Sequence, residues 1–79
     1  EEFGVILMDK GHKEAFTVAE KIRKTLEARQ MTVRRKIIHL TLSIGISTYP
    51  DDAFEGDKLI KIADERLYKA KELGRNKVI

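Results

Sequence analysis

The sequence contains no cysteine and no tryptophan, one proline, and only five aromatic residues in 79 positions. Without cysteine there are no disulfides, no thiolate metal ligands and no cysteine nucleophile. Two histidines give a His-only metal site no support. No apolar run approaches the roughly 18–20 residues that a membrane-spanning helix needs, and no charged-then-apolar leader is seen. The aromatics are too few and too scattered to form a stacking platform, so nucleic acid is not an expected partner. Pro/Gly/Ser linkers, internal repeats and low-complexity tracts are also missing. The lack of cysteine is compatible with a reducing cytoplasm, the expected location.

What is present is a globular composition, with 42% hydrophobic and 37% charged residues. The length allows one small domain, which buries only about 60% of its chain surface and is therefore of marginal stability. The net charge of +3 is unevenly placed: residues 1–56 carry nine basic and nine acidic side chains, and residues 57–79 carry seven and four. Arg29, Arg34, Arg35 and Lys36 form a second basic concentration, with no acid between Ala28 and Pro50. Such a cluster attracts phosphate or nucleic acid. The favoured reading is nonetheless a solvated face and a charged turn.

Periodicity predicts the elements. Phe3 to Met8 is a continuous apolar run of strand length, suited to a strand covered on both faces. From about Lys13 to Ala28, Ala15, Val18, Ala19, Ile22 and Leu26 make one helical face. Met31 to Arg34 reads as a short strand. Ile38, Leu40, Leu42, Ile44 and Ile46 then alternate with His39, Thr41, Ser43, Gly45 and Ser47, the period of a single long strand. Gly45 invites a closely approaching backbone, a ligand, or a bulge. Thr48 to Gly56 is a loop, and Asp57 is placed to cap a helix running to about Glu72. Leu59, Ile60, Ala63, Leu67 and Ala70 are its inward residues, with Tyr68 half-buried. Gly74 suits a left-handed helix cap, and Asn76 to Ile79 start a last strand. The expected class is α+β, in the order β-α-β-β-α-β, with helices packed on a mostly antiparallel sheet.

Few residues invite chemistry on their own. Glu1 and Glu2 stand together just before the apolar strand, where adjacent carboxylates suit Mg²⁺, a hard cation that takes oxygen ligands. Alone, they read simply as exposed charge. Lys71 and Arg75 stand four apart at the end of the second helix, with Lys77 beyond. Cations there favour the helix dipole, yet a like-charged pair at that spacing repels and is suited to a phosphate. Asp64 reads as a surface partner of Lys61 or Lys71, and His39 as a residue of the more polar strand face. No Ser or Asp accompanies His39 as a hydrolytic triad would require.

Three stretches in order resemble one family. Glu1-Glu2-Phe3-Gly4-Val5-Ile6-Leu7 resembles the end of a GGDEF signature in its Gly-Gly-Glu-Glu-Phe form. Leu42 to Ser47, followed by Tyr49-Pro50-Asp51-Asp52, resembles the family's later strand and loop, and Ala63 to Asn76 is similar to its last helix. The resemblance covers essentially the whole chain. It implies a diguanylate cyclase domain with a palm-like, nucleotide-cyclase-like fold, condensing two GTP into cyclic di-GMP with release of pyrophosphate. It also implies Mg²⁺ or Mn²⁺ at the site, and a second cyclase domain as the catalytic partner in a homodimer. Glu1 takes the signature's third position, the catalytic metal-binding acid, and Glu2 the fourth, close to the metals. Lys71 and Arg75 match the family's basic pair on the triphosphate.

By the same resemblance, residues 1–79 are the C-terminal portion of a single GGDEF domain. The upstream metal-binding Asp, the guanine-reading residues, the signature glycines and the inhibitory Arg-x-x-Asp all precede Glu1. A strand preceding Glu1 is then expected between the strand of Phe3–Met8 and that of Ile38–Ser47. Without it both strands would leave backbone unpaired, so the 79 residues alone are expected to be inactive and to self-associate. Two other readings remain: a degenerate GGDEF module that binds GTP or a partner domain for regulation without catalysis, and a small interaction domain.

Overall fold

A computed structural model describes residues 2–9 and 11–79, the side chains of residues 2, 3 and 5–8 excepted. The order is β1 (Glu2–Met8), α1 (His12–Glu27), β2 (Gln30–Val33), β3 (Lys36–His39), β4 (Leu42–Thr48) and α2 (Gly56–Glu72). The α+β class is as expected, with two helices packed on strands.

β4 is the centre of the molecule. On one edge it pairs in parallel with β1, from Glu2 opposite Leu42 to Met8 opposite Thr48. On the other edge it meets residues 77–79, also in parallel, through a bridge between Ile44 and Val78. The Ile44 amide donates to the Lys77 carbonyl at 2.8 Å, the Ile79 amide to Ile44 at 2.9 Å, and the Ile46 amide to Ile79 at 2.9 Å. The expected last strand is thus present as this short pairing. Antiparallel pairing joins β2 to β3. β1 and β4 do not leave their facing edges unpaired, as expected for them alone, but pair directly, with no strand between them among the described residues.

The single long strand expected from Ile38 to Ser47 is two strands, interrupted at Leu40–Thr41. The alternation runs through the break, but the backbone changes partner there. Residues 36–39 pair with β2, and residues 42–48 with β1.

Both faces of β4 are covered, which the period of two did not imply. Ile44 and Ile46 pack with Ala15 and Ala19 of α1 and with Val78, and Leu42 packs against that cluster. Ser43, Gly45 and Ser47 point the other way and are buried too, beneath α2 and its C-terminal turn. Small residues there let a helix backbone come close. α2 buries Leu59, Ala63, Leu67 and Ala70, as the spacing predicts, whereas Ile60 and Tyr68 are exposed, against expectation. On α1 only Ala15 and Ala19 are buried; Val18 and Ile22 are exposed because the helix docks through its alanines.

The termini of α2 follow local chemistry. The helix starts one residue before the predicted cap, so Asp57 lies in its first turn and favours the dipole, while Glu55 takes the cap position without a side-chain bond. At the other end Gly74 has φ +110°, as a left-handed cap requires. The Gly74 amide donates to Lys71 at 3.3 Å and the Arg75 amide to Ala70 at 2.9 Å, the two bonds of a Schellman motif.

The β2–β3 hairpin turns on Arg34 and Arg35, with φ of 52° and 66°. Two left-handed residues in a two-residue turn are the pattern of type I′, which Asn-Gly adopts with least strain. The double substitution Arg34→Asn, Arg35→Gly should stabilise the protein by about 1 kcal/mol, raising a thermal midpoint by about 4–8 °C. An unchanged or lower midpoint in a calorimetric melt would refute this reading of the turn.

Candidate functional site

The residues singled out by sequence come from both ends of the chain, and β4 brings those ends together. Glu2 begins β1 opposite Leu42. One residue further along β4, the Ser43 hydroxyl accepts a bond from the Asn76 amide at 3.1 Å. The start of β1 and the turn after α2 therefore meet at the same end of β4. Of the acidic pair, Glu1 lies outside the described residues, and Glu2 is placed by its backbone alone. Of the basic pair, Lys71 is half-buried in the last turn of α2. Arg75 is exposed and left-handed, with φ 64°.

The turn that carries Arg75 is tied to α1. Asn76 Oδ1 accepts from Arg23 Nη1 at 2.8 Å, and its Nδ2 donates to the Glu27 carboxylate. Arg23 also donates to Glu20, with Nε 2.8 Å from Oε1 and a second bond from Nη2, and its Nη1 lies 3.6 Å from Glu27. The hydrogen bond from Arg23 holds the Glu20 carboxyl below the usual carboxylate range. Sequence reading missed this network. The 20-23-27 spacing of Glu, Arg and Glu on one helix was a visible signal, but nothing linked it to Asn76.

A second missed group braces the loop after β4. Arg66 binds Asp52 through two bonds, Nη1 to Oδ2 at 2.9 Å and Nη2 to Oδ1 at 2.8 Å, and Nη1 also donates to the Ile46 carbonyl at 2.7 Å. The Thr48 amide donates to Asp52 Oδ2 at 2.8 Å. The bonds from Arg66 and Thr48 together outweigh burial and lower the Asp52 pKa from 3.8 to about 2.

Among the described residues, no three His, Cys, Asp or Glu side chains converge as a metal site. The donor set that sequence points to, two adjacent carboxylates, suits Mg²⁺ chemically, because this ion keeps waters and substrate phosphates among its ligands. Other candidates lie elsewhere. Arg34, Arg35 and Lys36 are on the hairpin, His39 is exposed on β3, and Asp64 is exposed on α2. An open groove along α1, lined by Lys21, Ile22, Thr25, Leu26 and Arg29, is not lined by Lys71 or Arg75. No helix among the described residues is long and apolar enough to cross a membrane.

Residues 1–77 match the family described as diguanylate cyclase, GGDEF domain. The chain is 40% identical over 78 residues to diguanylate cyclase A of Treponema denticola, a match covering 99% of this chain and 21% of that protein. It is 38% identical over 81 residues to response regulator PleD of Caulobacter vibrioides, covering all of this chain and 18% of that protein. It is 37% identical over 84 residues to probable diguanylate cyclase DgcT of Escherichia coli K12, with coverage of 100% and 18%. No solved structure matches the chain. The chain belongs to the GGDEF family, whose family-level activity is that of a diguanylate cyclase. It spans about a fifth of the length of the curated relatives it matches.

Proposed function

We propose that residues 1–79 are the C-terminal portion of one diguanylate cyclase domain, acting in the cytoplasm on GTP with Mg²⁺ or Mn²⁺. The observation that carries this is the meeting of the β1 start and the α2 turn at the Leu42–Ser43 end of β4. In support, the backbone of Glu2 at the start of β1 and the turn carrying Arg75 lie at the same end of β4.

The reaction joins two GTP molecules. Each 3′-hydroxyl attacks the α-phosphate of the other, two phosphodiester bonds form, and two pyrophosphates leave. Lys71 and Arg75 hold the triphosphate and offset the charge that builds on the departing pyrophosphate. Glu1 and Glu2 would hold the metal, with Glu1 the essential acid. Bound there, the metal lowers the pKa of the attacking hydroxyl and neutralises phosphate charge. Each domain holds one GTP, so the reaction needs a second cyclase domain facing the first. The 79 residues alone are inactive in this reading and associate with another copy. In support, β1 pairs only with β4 among the described strands.

Titration calorimetry with Mg·GTP tests the basic pair. Lys71→Ala and Arg75→Ala should each weaken binding about tenfold, the scale of one charge-assisted phosphate contact. Unchanged affinity in both variants would remove the nucleotide reading. A pyrophosphate-release assay on the 79 residues should show no turnover, and release at a measurable rate would overturn the claim that they are inactive alone.

A further inference from the structure

We propose that Asn76 and Arg23 form a clamp that presets the Gly74–Asn76 turn and so positions Arg75 for a phosphate. This inference rests on the phosphate-binding reading of Arg75 given above, and it assigns positioning roles to two residues outside the site itself.

Three successive residues in the turn have positive φ: Gly74 at 110°, Arg75 at 64° and Asn76 at 51°. Glycine adopts such a conformation freely and asparagine tolerates it, but an arginine there is strained. A strained arginine persists only where its surroundings over-determine it. The bonds that do so are on both sides of Arg75. Its own amide closes the helix on Ala70, and the next amide, of Asn76, is fixed to Ser43 on β4. The Asn76 side chain then uses both of its polar atoms on α1, accepting from Arg23 and donating to Glu27.

Arg23 is itself committed. Its side chain is 12% exposed, and its guanidinium is engaged by Glu20, Glu27 and Asn76. With two carboxylates neutralising it, Arg23 is a brace and not a phosphate ligand. After Asn76 the chain is held again, by the pairing of residues 77–79 with β4. Arg75 is thus the residue between two anchored neighbours, with its backbone set before any ligand arrives. Preorganisation of this kind lowers the entropy lost on binding.

The test uses inorganic tripolyphosphate as the probe, calorimetry as one readout and backbone NMR shifts of Arg75 as the other. Asn76→Gly keeps the turn's backbone ease while removing the side-chain bonds, and Arg23→Ala breaks the clamp from the α1 side. Each should weaken tripolyphosphate about tenfold and shift Arg75 out of its left-handed conformation. The double variant should be no weaker than either single variant beyond twofold, because one clamp is being broken twice. Glu27→Gln, which keeps an acceptor on a half-exposed side chain, gives a milder loss in a protein that stays folded. Single variants that loosen the turn but keep affinity within twofold would overturn the clamp, provided Arg75→Ala still weakens binding about tenfold. If Arg75→Ala also leaves tripolyphosphate binding unchanged, the phosphate reading itself falls and takes the positioning role with it.

Discussion

Gly45→Ala should remove more than half of the protein's stability. A methyl group at Gly45 would stand 2.1 Å from the Ala63 carbonyl oxygen, 2.3 Å from the Leu67 nitrogen and 2.8 Å from the Leu67 Cα. All three are backbone atoms of α2, so no side chain can swing aside. Restoring ordinary separation requires the helix to retreat by about 1 Å or more. That retreat loosens the 2.6 Å bond from the Ser47 hydroxyl to the Leu59 carbonyl and the bond from Arg66 to Ile46. Overpacking of this severity costs about 3 kcal/mol or more, against a total stability of roughly 5 kcal/mol for a domain of this size. Gly4→Ala is the control, since among the described residues nothing lies within 4 Å of its added methyl. Its effect should stay within about 0.5 kcal/mol. Urea denaturation followed by circular dichroism separates the two, and a Gly45→Ala midpoint close to the parent's would show that α2 is not seated where described.

Acidification should remove the brace between α2 and the loop after β4. The Asp52 pKa is about 2 in the folded protein and rises to the ordinary 3.8 when Arg66 and Thr48 are lost on unfolding. A carboxyl whose folded pKa is depressed stabilises the fold above its unfolded value, and the contribution is lost as pH falls through the folded one. The window is therefore from about pH 4–5 down to about pH 2. The full shift corresponds to about 2 kcal/mol, and solvent around the partly exposed Arg66 reduces it to about 1–2 kcal/mol. Arg66→Met is the more damaging change, because it strands a carboxylate that is largely out of water, at about 2–3 kcal/mol near pH 7. Asp52→Asn should flatten the acid limb of a stability-against-pH profile relative to the parent. A profile that falls equally steeply in both proteins would mean that other carboxylates, Glu20 among them, carry the acid sensitivity.

Much of the fold was legible because periodicity reports local geometry directly. Ala15 and Ala19 on one helix face, and Leu59, Ala63, Leu67 and Ala70 on another, are buried as their spacing requires. Gly74 is left-handed where a helix cap was wanted. Of the three options open for Gly45, the structure selects close approach by a backbone. Elsewhere local pattern and tertiary partner diverged. The alternation from Ile38 to Ser47 is unbroken as a pattern, yet Leu40–Thr41 divides it, because alternation records which face a side chain takes and not which strand the backbone pairs with. Val18, Ile22, Ile60 and Tyr68 are more exposed than their positions predicted, since a helix buries only the arc its neighbours reach.

The site shows the same division. Sequence alone determined the family, through three motifs in order, and with it the candidate residues Glu1, Glu2, Lys71 and Arg75. It also determined the helices and the cap at Gly74, because those depend on neighbours within a few residues. Only the tertiary structure decided that β1 and residues 77–79 flank β4 in parallel, that Asp52 finds Arg66, and that Asn76 reaches Arg23 across 53 positions of chain. Those contacts join residues far apart in sequence, and nothing in the local pattern around Asn76 or Asp52 names a partner. Their pairing is set by where β4 and the two helices leave polar groups that must be satisfied once water is excluded.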